Sequence, residues 1–143
     1  MRYLTTMAIL FGLTLPAQQP EMVPLHWKRL LAQQGFSGAL EGKVNLVRVG
    51  TLPCGAQRLR IFFYSWEESD RPGEAIHANY RVVFLENENK YIGSYVVADR
   101  PSKVTGNELR FDYPAKSGNA ISCDHQALPS KVLLDGEIKE LGK

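Results

Sequence analysis

Beyond residue 42, apolar and polar positions exchange places with a period of two, interrupted at short intervals by Gly, Pro, Asn and Asp. Such alternation marks strands with one buried face, and the interruptions are turn chemistry. Lys43 to Thr51 is rich in valine and leucine and runs into Leu52-Pro53-Cys54-Gly55, which reads as a turn. Gln57 to Trp66 is a long strand. Leu59, Ile61 and Phe63 share one of its faces, and Arg58, Arg60, Phe62, Tyr64 and Trp66 share the other. Glu67 to Ala78 reads as an acidic loop containing Pro72-Gly73, and Tyr80 to Glu86 pairs with Lys90 to Ala98 around Asn87-Glu88-Asn89. Leu109, Phe111 and Tyr113 then alternate with Arg110 and Asp112, and after the turn Lys116-Ser117-Gly118-Asn119 the pattern resumes at Ile121 and Cys123. Lys131 to Leu134 and Glu137 to Leu141 flank Asp135-Gly136, a dipeptide that favours a two-residue hairpin turn. That register sets Leu133 against Ile138 and Lys131 against Glu140, an apolar pair and an ion pair.

One segment follows a different period. From Val23 to Gln34, residues Val23, Trp27, Leu30 and Leu31 fall on one helical face, and Gly35 suits the left-handed position that ends a helix. So short a helix needs a sheet to dock on. The expected architecture is mainly β: an antiparallel meander of about eight strands forming a curved sheet or a barrel-like core, with one N-terminal helix packed on it. The 143 residues suit one domain, spanning 18–143, and no internal repeat or heptad run divides them.

The first residues change the expected compartment. Arg2 gives a short positive start, Leu4 to Leu15 is apolar apart from threonines, and Pro16-Ala17 precedes the polar Gln18-Gln19-Pro20-Glu21. This is the layout of a secretory signal peptide over 1–17, with secreted or periplasmic destinations, and the run is shorter than the ~20 residues a bilayer span needs. Two cysteines, Cys54 and Cys123, suit a disulfide in an oxidising compartment, and neither sits in a zinc or CxxC spacing. With 17 basic and 15 acidic residues, interleaved, the chain lacks the concentrated field that nucleic-acid binding uses. No metal site and no cofactor fingerprint is expected, since GxGxxG and GxxxxGK are both missing.

Candidate chemistry gathers in three places. The stripe Arg58, Arg60, Phe62, Tyr64 and Trp66 combines rings that can stack on a sugar or planar ligand with guanidinium groups that can hold a carboxylate or phosphate. The same pattern also describes a central strand packed on both sides, one face against a helix and one in a core. The loop residues Glu67, Glu68, Asp70, Glu74 and His77 could divide acid and base roles or simply be solvated. Asp124-His125 sits beside Cys123 without a nucleophile elbow or a His-Glu-x-x-His pair, and His26 lies on the helix. Two functional classes follow. One is an exported, non-catalytic binding protein that uses the Arg-aromatic face on a small molecule or an envelope or extracellular protein. The other is a small exported hydrolase using Glu67, Glu68 or Asp70 with His77 or His125.

Overall fold

The computed structural model of the protein describes residues 26–68, 72–73, 77–86, 90–111 and 119–143. The expected leader (1–17), the start of the helix before His26, Asp70, Glu74, the segment 87–89 and the stretch 112–118 lie outside the described residues. Four strands, β1 (Lys43–Cys54), β2 (Gln57–Glu68), β3 (His77–Glu86) and β4 (Lys90–Val97), form one antiparallel sheet in chain order. Of the two expected forms, the closed barrel is not adopted: β1 and β4 stand at opposite edges of an open sheet. Closure is replaced by layering, because among the described residues the strands after β4 form two smaller sheets. Strands β5 (Lys103–Thr105), β6 (Glu108–Arg110) and β7 (Ala120–Ser122) make one, and β8 (Lys131–Leu134) and β9 (Glu137–Glu140) the other.

The two apolar faces of β2 explain this arrangement. Leu59 and Ile61 point with Leu52, Val82, Phe84 and Tyr95 into a core that Leu109, Phe111, Ile121, Leu128 and Leu134 close from the small sheets. On the reverse face, Phe62, Tyr64, Val83, Leu85 and Tyr91 pack against Trp27 and Leu31 of helix α1 (His26–Gln33) and against Phe36 just beyond it. The helix stops where glycine allows it. Gly35 has φ +83°, and the Phe36 amide donates to the Leu31 carbonyl at 3.0 Å while the Gly35 amide reaches Ala32 at 3.4 Å. Together these bonds satisfy the last helical carbonyls and swing Phe36 back into the core beside Leu31.

Several boundaries differ from the sequence pattern for identifiable reasons. Strand β1 runs through Pro53 to Cys54, so the turn is Gly55-Ala56 rather than Leu52 to Gly55. Proline is tolerated there because β1 is an edge strand and one amide side needs no partner. The acidic loop is shorter than expected, since the ladder continues through Glu67↔Ala78 and Glu68↔His77. Strand β5 has no counterpart in the sequence pattern: Val104 is its only apolar residue, too little to show an alternation. Two irregularities bend the sheet: Val49 is an extra residue in the β1–β2 ladder, and Ile92 in the β3–β4 ladder.

Cys54 and Cys123 are bonded, with Cα atoms 5.2 Å apart and a sequence separation of 69. The bond ties the end of β1 to the residue after β7, so it joins the main sheet to the layer covering it. The β8–β9 hairpin has the expected register, including Leu133↔Ile138 and Lys131↔Glu140, with positive φ at Asp135 (54°) and Gly136 (76°). Asn119 braces this turn, its amide donating to the Asp135 carboxylate at 2.6 Å and its oxygen accepting from the Asp135 amide at 3.2 Å. After β9, Gly142 pairs with Ser94 of β4, each amide donating to the other's carbonyl at 2.9 Å. That approach needs Gly93 without a side chain: a Cβ there would lie 2.7 Å from Leu141 Cδ1 and 2.9 Å from the Gly142 carbonyl.

Candidate functional site

All five stripe residues lie on one side of β2, and the structure treats them in two groups. Phe62 and Tyr64 are buried, at 4% and 1% exposure, beneath α1 and the segment following it. Phe62 meets the Trp27 ring with centroids 5.7 Å apart, and Tyr64 meets Phe36 edge-on at 5.2 Å. The Tyr64 hydroxyl donates to the Ala39 carbonyl, and the half-buried Trp66 donates its indole N–H to the Glu41 carbonyl at 3.2 Å. These bonds pin the 37–42 connection over the sheet. Burial pushes the Tyr64 hydroxyl above the ordinary tyrosine range, with the Arg81 guanidinium pulling weakly the other way.

At the other end of the stripe the described side chains are less deeply buried. Arg60 is half-buried, its guanidinium carbon 5.0 Å from the Trp27 ring centre and 5.9 Å from that of Phe62. Arg58 is exposed. The sequence pattern missed a third member, Arg48 of β1, which stands directly opposite Phe62 and is exposed. Counting back from the Gly55-Ala56 turn would set Arg48 against Phe63, on the core side. The extra residue Val49 shifts the ladder by one and turns Arg48 to the helix side instead. Across β2 from Arg58 to Trp66 and its partner positions on β1 and β3, this face carries Arg48, Arg58, Arg60 and Arg81 and no carboxylate. Arg81 is engaged beneath the connection, donating to Ser37 Oγ at 2.9 Å and lying 5.5 Å from the Phe36 ring centre.

Magnitude decides which part of the stripe a partner can reach. Lifting α1 would return Trp27, Leu31 and Phe36 to water at about 1.5–3 kcal/mol each, or roughly 5–9 kcal/mol in all. Since 1.4 kcal/mol is a factor of ten, an opened face would be populated in fewer than about one molecule in a thousand. The covered aromatics therefore hold the helix, and the exposed side chains of the basic end are Arg48 and Arg58, with the half-buried Arg60 beside Trp27.

The acidic groups are arranged differently. Glu67 and Glu68 are exposed at the far end of β2, and the backbone register sets His77 opposite Glu68. His125 lies elsewhere. It is exposed in the left-handed turn following Cys123 (φ 49°), and the neighbouring Gln126 lies against Gly55 at the opposite end of β2. At about 3.3 Å per residue, the length of β2 separates His125 from Glu67 and Glu68 by roughly 30 Å. The structure thus brings Glu68 near His77 in register and keeps His125 away from both. His26 is exposed at the first position of α1, its ring 5.3 Å from that of Trp27. Among the described residues no three His, Cys, Asp or Glu side chains are grouped to hold a metal ion, and no helix is long and apolar enough to cross a membrane. No protein family matches the chain, and no similarity was found among curated proteins or solved structures.

Proposed function

We propose that this chain is an exported, non-catalytic binding protein that engages its partner through the basic end of the helix-covered sheet face. The observation that carries the reading is the set of three arginines, Arg48, Arg58 and Arg60, on one face of two adjacent strands with no carboxylate among them. Stacking on Trp27 holds Arg60 in place, which lowers the entropy it would lose on binding. The sheet beneath is held rigid by the packed helix on one side and the disulfide-tied layer on the other. The disulfide also supports export, because such bonds persist in oxidising compartments. Recognition by guanidinium groups on a fixed β surface needs no general acid or base; of the hydrolase pairings, His125 lies far from Glu67 and Glu68, while Glu68 and His77 stand opposite each other in register.

A photo-crosslinking residue replacing Thr51, which stands opposite Arg60 on β1, tests the proposal in the full chain expressed in its native compartment. An adduct is expected that disappears when Arg58→Glu and Arg60→Glu are combined and persists with Lys103→Glu on exposed β5. A missing adduct, or one indifferent to the arginines, would remove the face from consideration.

A further inference from the structure

We infer that the outer face of the β8–β9 hairpin binds a second copy of this chain, forming a two-fold dimer in which Lys131 of each copy meets Glu140 of the other. The surface is separate from the basic end, because the chain after β9 adjoins β4 through the Gly142–Ser94 pairing, and β4 is the sheet edge opposite β1. The inference therefore stands independently of the reading just proposed.

The hairpin is apolar on both sides. Val132 and Leu134 pack on the core, so alternation turns Lys131 and Leu133 outward, and the register turns Ile138 and Glu140 outward with them. Leu133 and Ile138 stand directly opposite each other and are 62% and 67% exposed, the highest values among the large hydrophobic side chains of the described residues. Strand β2, also apolar on both faces, is covered by α1 on one side and by the small sheets on the other. The outer face of β8–β9 stays open to water instead. It is also held in shape. Asn119 braces the turn at one end, and Gly142 is bonded to Ser94 beyond the other, so little order is lost on docking.

Charge identifies the occupant. Beside the apolar pair on the same face, Lys131 and Glu140 form an exposed ion pair at 3.1 Å. This row is neutral, so it gathers neither a phosphate backbone nor an anionic membrane surface. It is, however, its own complement. With a two-fold axis running along the hairpin, midway between its strands and in the plane of contact, Leu133 of one copy falls on Ile138 of the other. Lys131 falls on Glu140 in the same way, and each contact occurs twice. An exposed ion pair contributes little alone. Its role here is to fix which edge of the hairpin meets which. Four outward side chains per copy cover less than the ~800 Å² per partner of a standard interface, so the dimer is weak and dissociates on dilution.

Sedimentation velocity on the disulfide-bonded protein, from about 1 μM to about 1 mM, tests the inference. A reversible monomer–dimer equilibrium is expected. Lys131→Glu and Glu140→Lys, each alone, set like charges against each other twice and should weaken the dimer at least ~10-fold. Mixed in equal amounts, the two variants should form a heterodimer, because every opposed pair is then of unlike charge. Recovery on mixing also shows that each variant is folded. Ile138→Thr keeps a β-branched residue in the strand and should weaken the dimer without charge reversal. A monomer at every concentration, a dimer indifferent to both charge reversals, variants that stay apart on mixing, or growth beyond the dimer would each overturn the inference. So would a monomer that binds vesicles of neutral phosphatidylcholine through Leu133 and Ile138, which would make the hairpin a lipid contact.

Discussion

Phe62→Ala and Arg58→Ala alter side chains on the same face of the same strand, and the structure assigns them opposite consequences. Phe62 is 4% exposed and packed on the Trp27 ring. Truncating it removes a buried ring and leaves a cavity beneath α1, at a cost of about 3–5 kcal/mol. Arg58 is exposed and its loss should change stability by less than about 0.5 kcal/mol. With a urea m-value near 2 kcal/mol/M, the phenylalanine variant should unfold about 2 M earlier while the arginine variant follows the parent curve. The helix contact itself can be isolated with Trp27→Ala and the double variant. The two rings touch, so the cycle should return a coupling of about 0.5–3 kcal/mol rather than simple additivity. Urea titration followed by tryptophan fluorescence and by far-ultraviolet circular dichroism supplies both numbers. A Phe62→Ala midpoint within about 0.3 M of the parent, or additive effects of the two substitutions, would refute the claim that α1 covers this part of the stripe.

Other consequences follow from particular contacts. Replacing Cys54 and Cys123 together by alanine frees a loop of 69 residues and should lower stability by up to about 4 kcal/mol in the chain-entropy treatment; an unchanged urea midpoint would contradict the tie between the layers. Gly93→Ala places a methyl group against Leu141 and the Gly142 carbonyl, so the amides of Ser94 and Gly142 should lose their hydrogen-exchange protection before the rest of β4. Burial raises the hydroxyl pKa of Tyr64, Tyr91 and Tyr95 above the usual value. The folded state therefore holds protons that the unfolded state releases, so stability is intact below about pH 10 and falls as the pH rises beyond it. Tyrosinate absorbance should accordingly show these three hydroxyls ionising late and together with unfolding, and a single early transition for all tyrosines would contradict their burial.

Parts of this molecule are legible from sequence because their causes are local. Asp135-Gly136 dictates its own turn, and the turn then fixes Leu133 opposite Ile138. Gly35 ends the helix by a conformation few other residues adopt, and the two apolar faces of Gln57 to Trp66 announce a strand covered on both sides. Other parts depend on contacts between distant segments. Val49 looks like any strand valine, yet as an extra ladder residue it turns Arg48 to the helix side and completes the basic end. Strand β5 exists because β6 pairs with it, not because Lys103 to Thr105 has any strand pattern of its own. The division of the Arg-aromatic stripe is of the same kind. Periodicity sets five side chains on one face, but only the seat of Trp27 and Phe36 decides that Phe62 and Tyr64 are covered, Arg60 is half-buried and Arg58 stays exposed. The gap between curved sheet and barrel also fell outside local reach, because either form satisfies the same hairpins.

The central claim is that one strand face is divided into a covered structural part and a basic recognition end. Arginine side-chain Nε–Hε resonances, followed by NMR as a short oligoglutamate peptide is added, test it most directly. The account predicts that Arg48, Arg58 and Arg60 shift in proportion to occupancy while Arg81, held by Ser37 beside Phe36, does not. Shifts confined to arginines outside this face, or a response of Arg81 equal to that of Arg58, would contradict it.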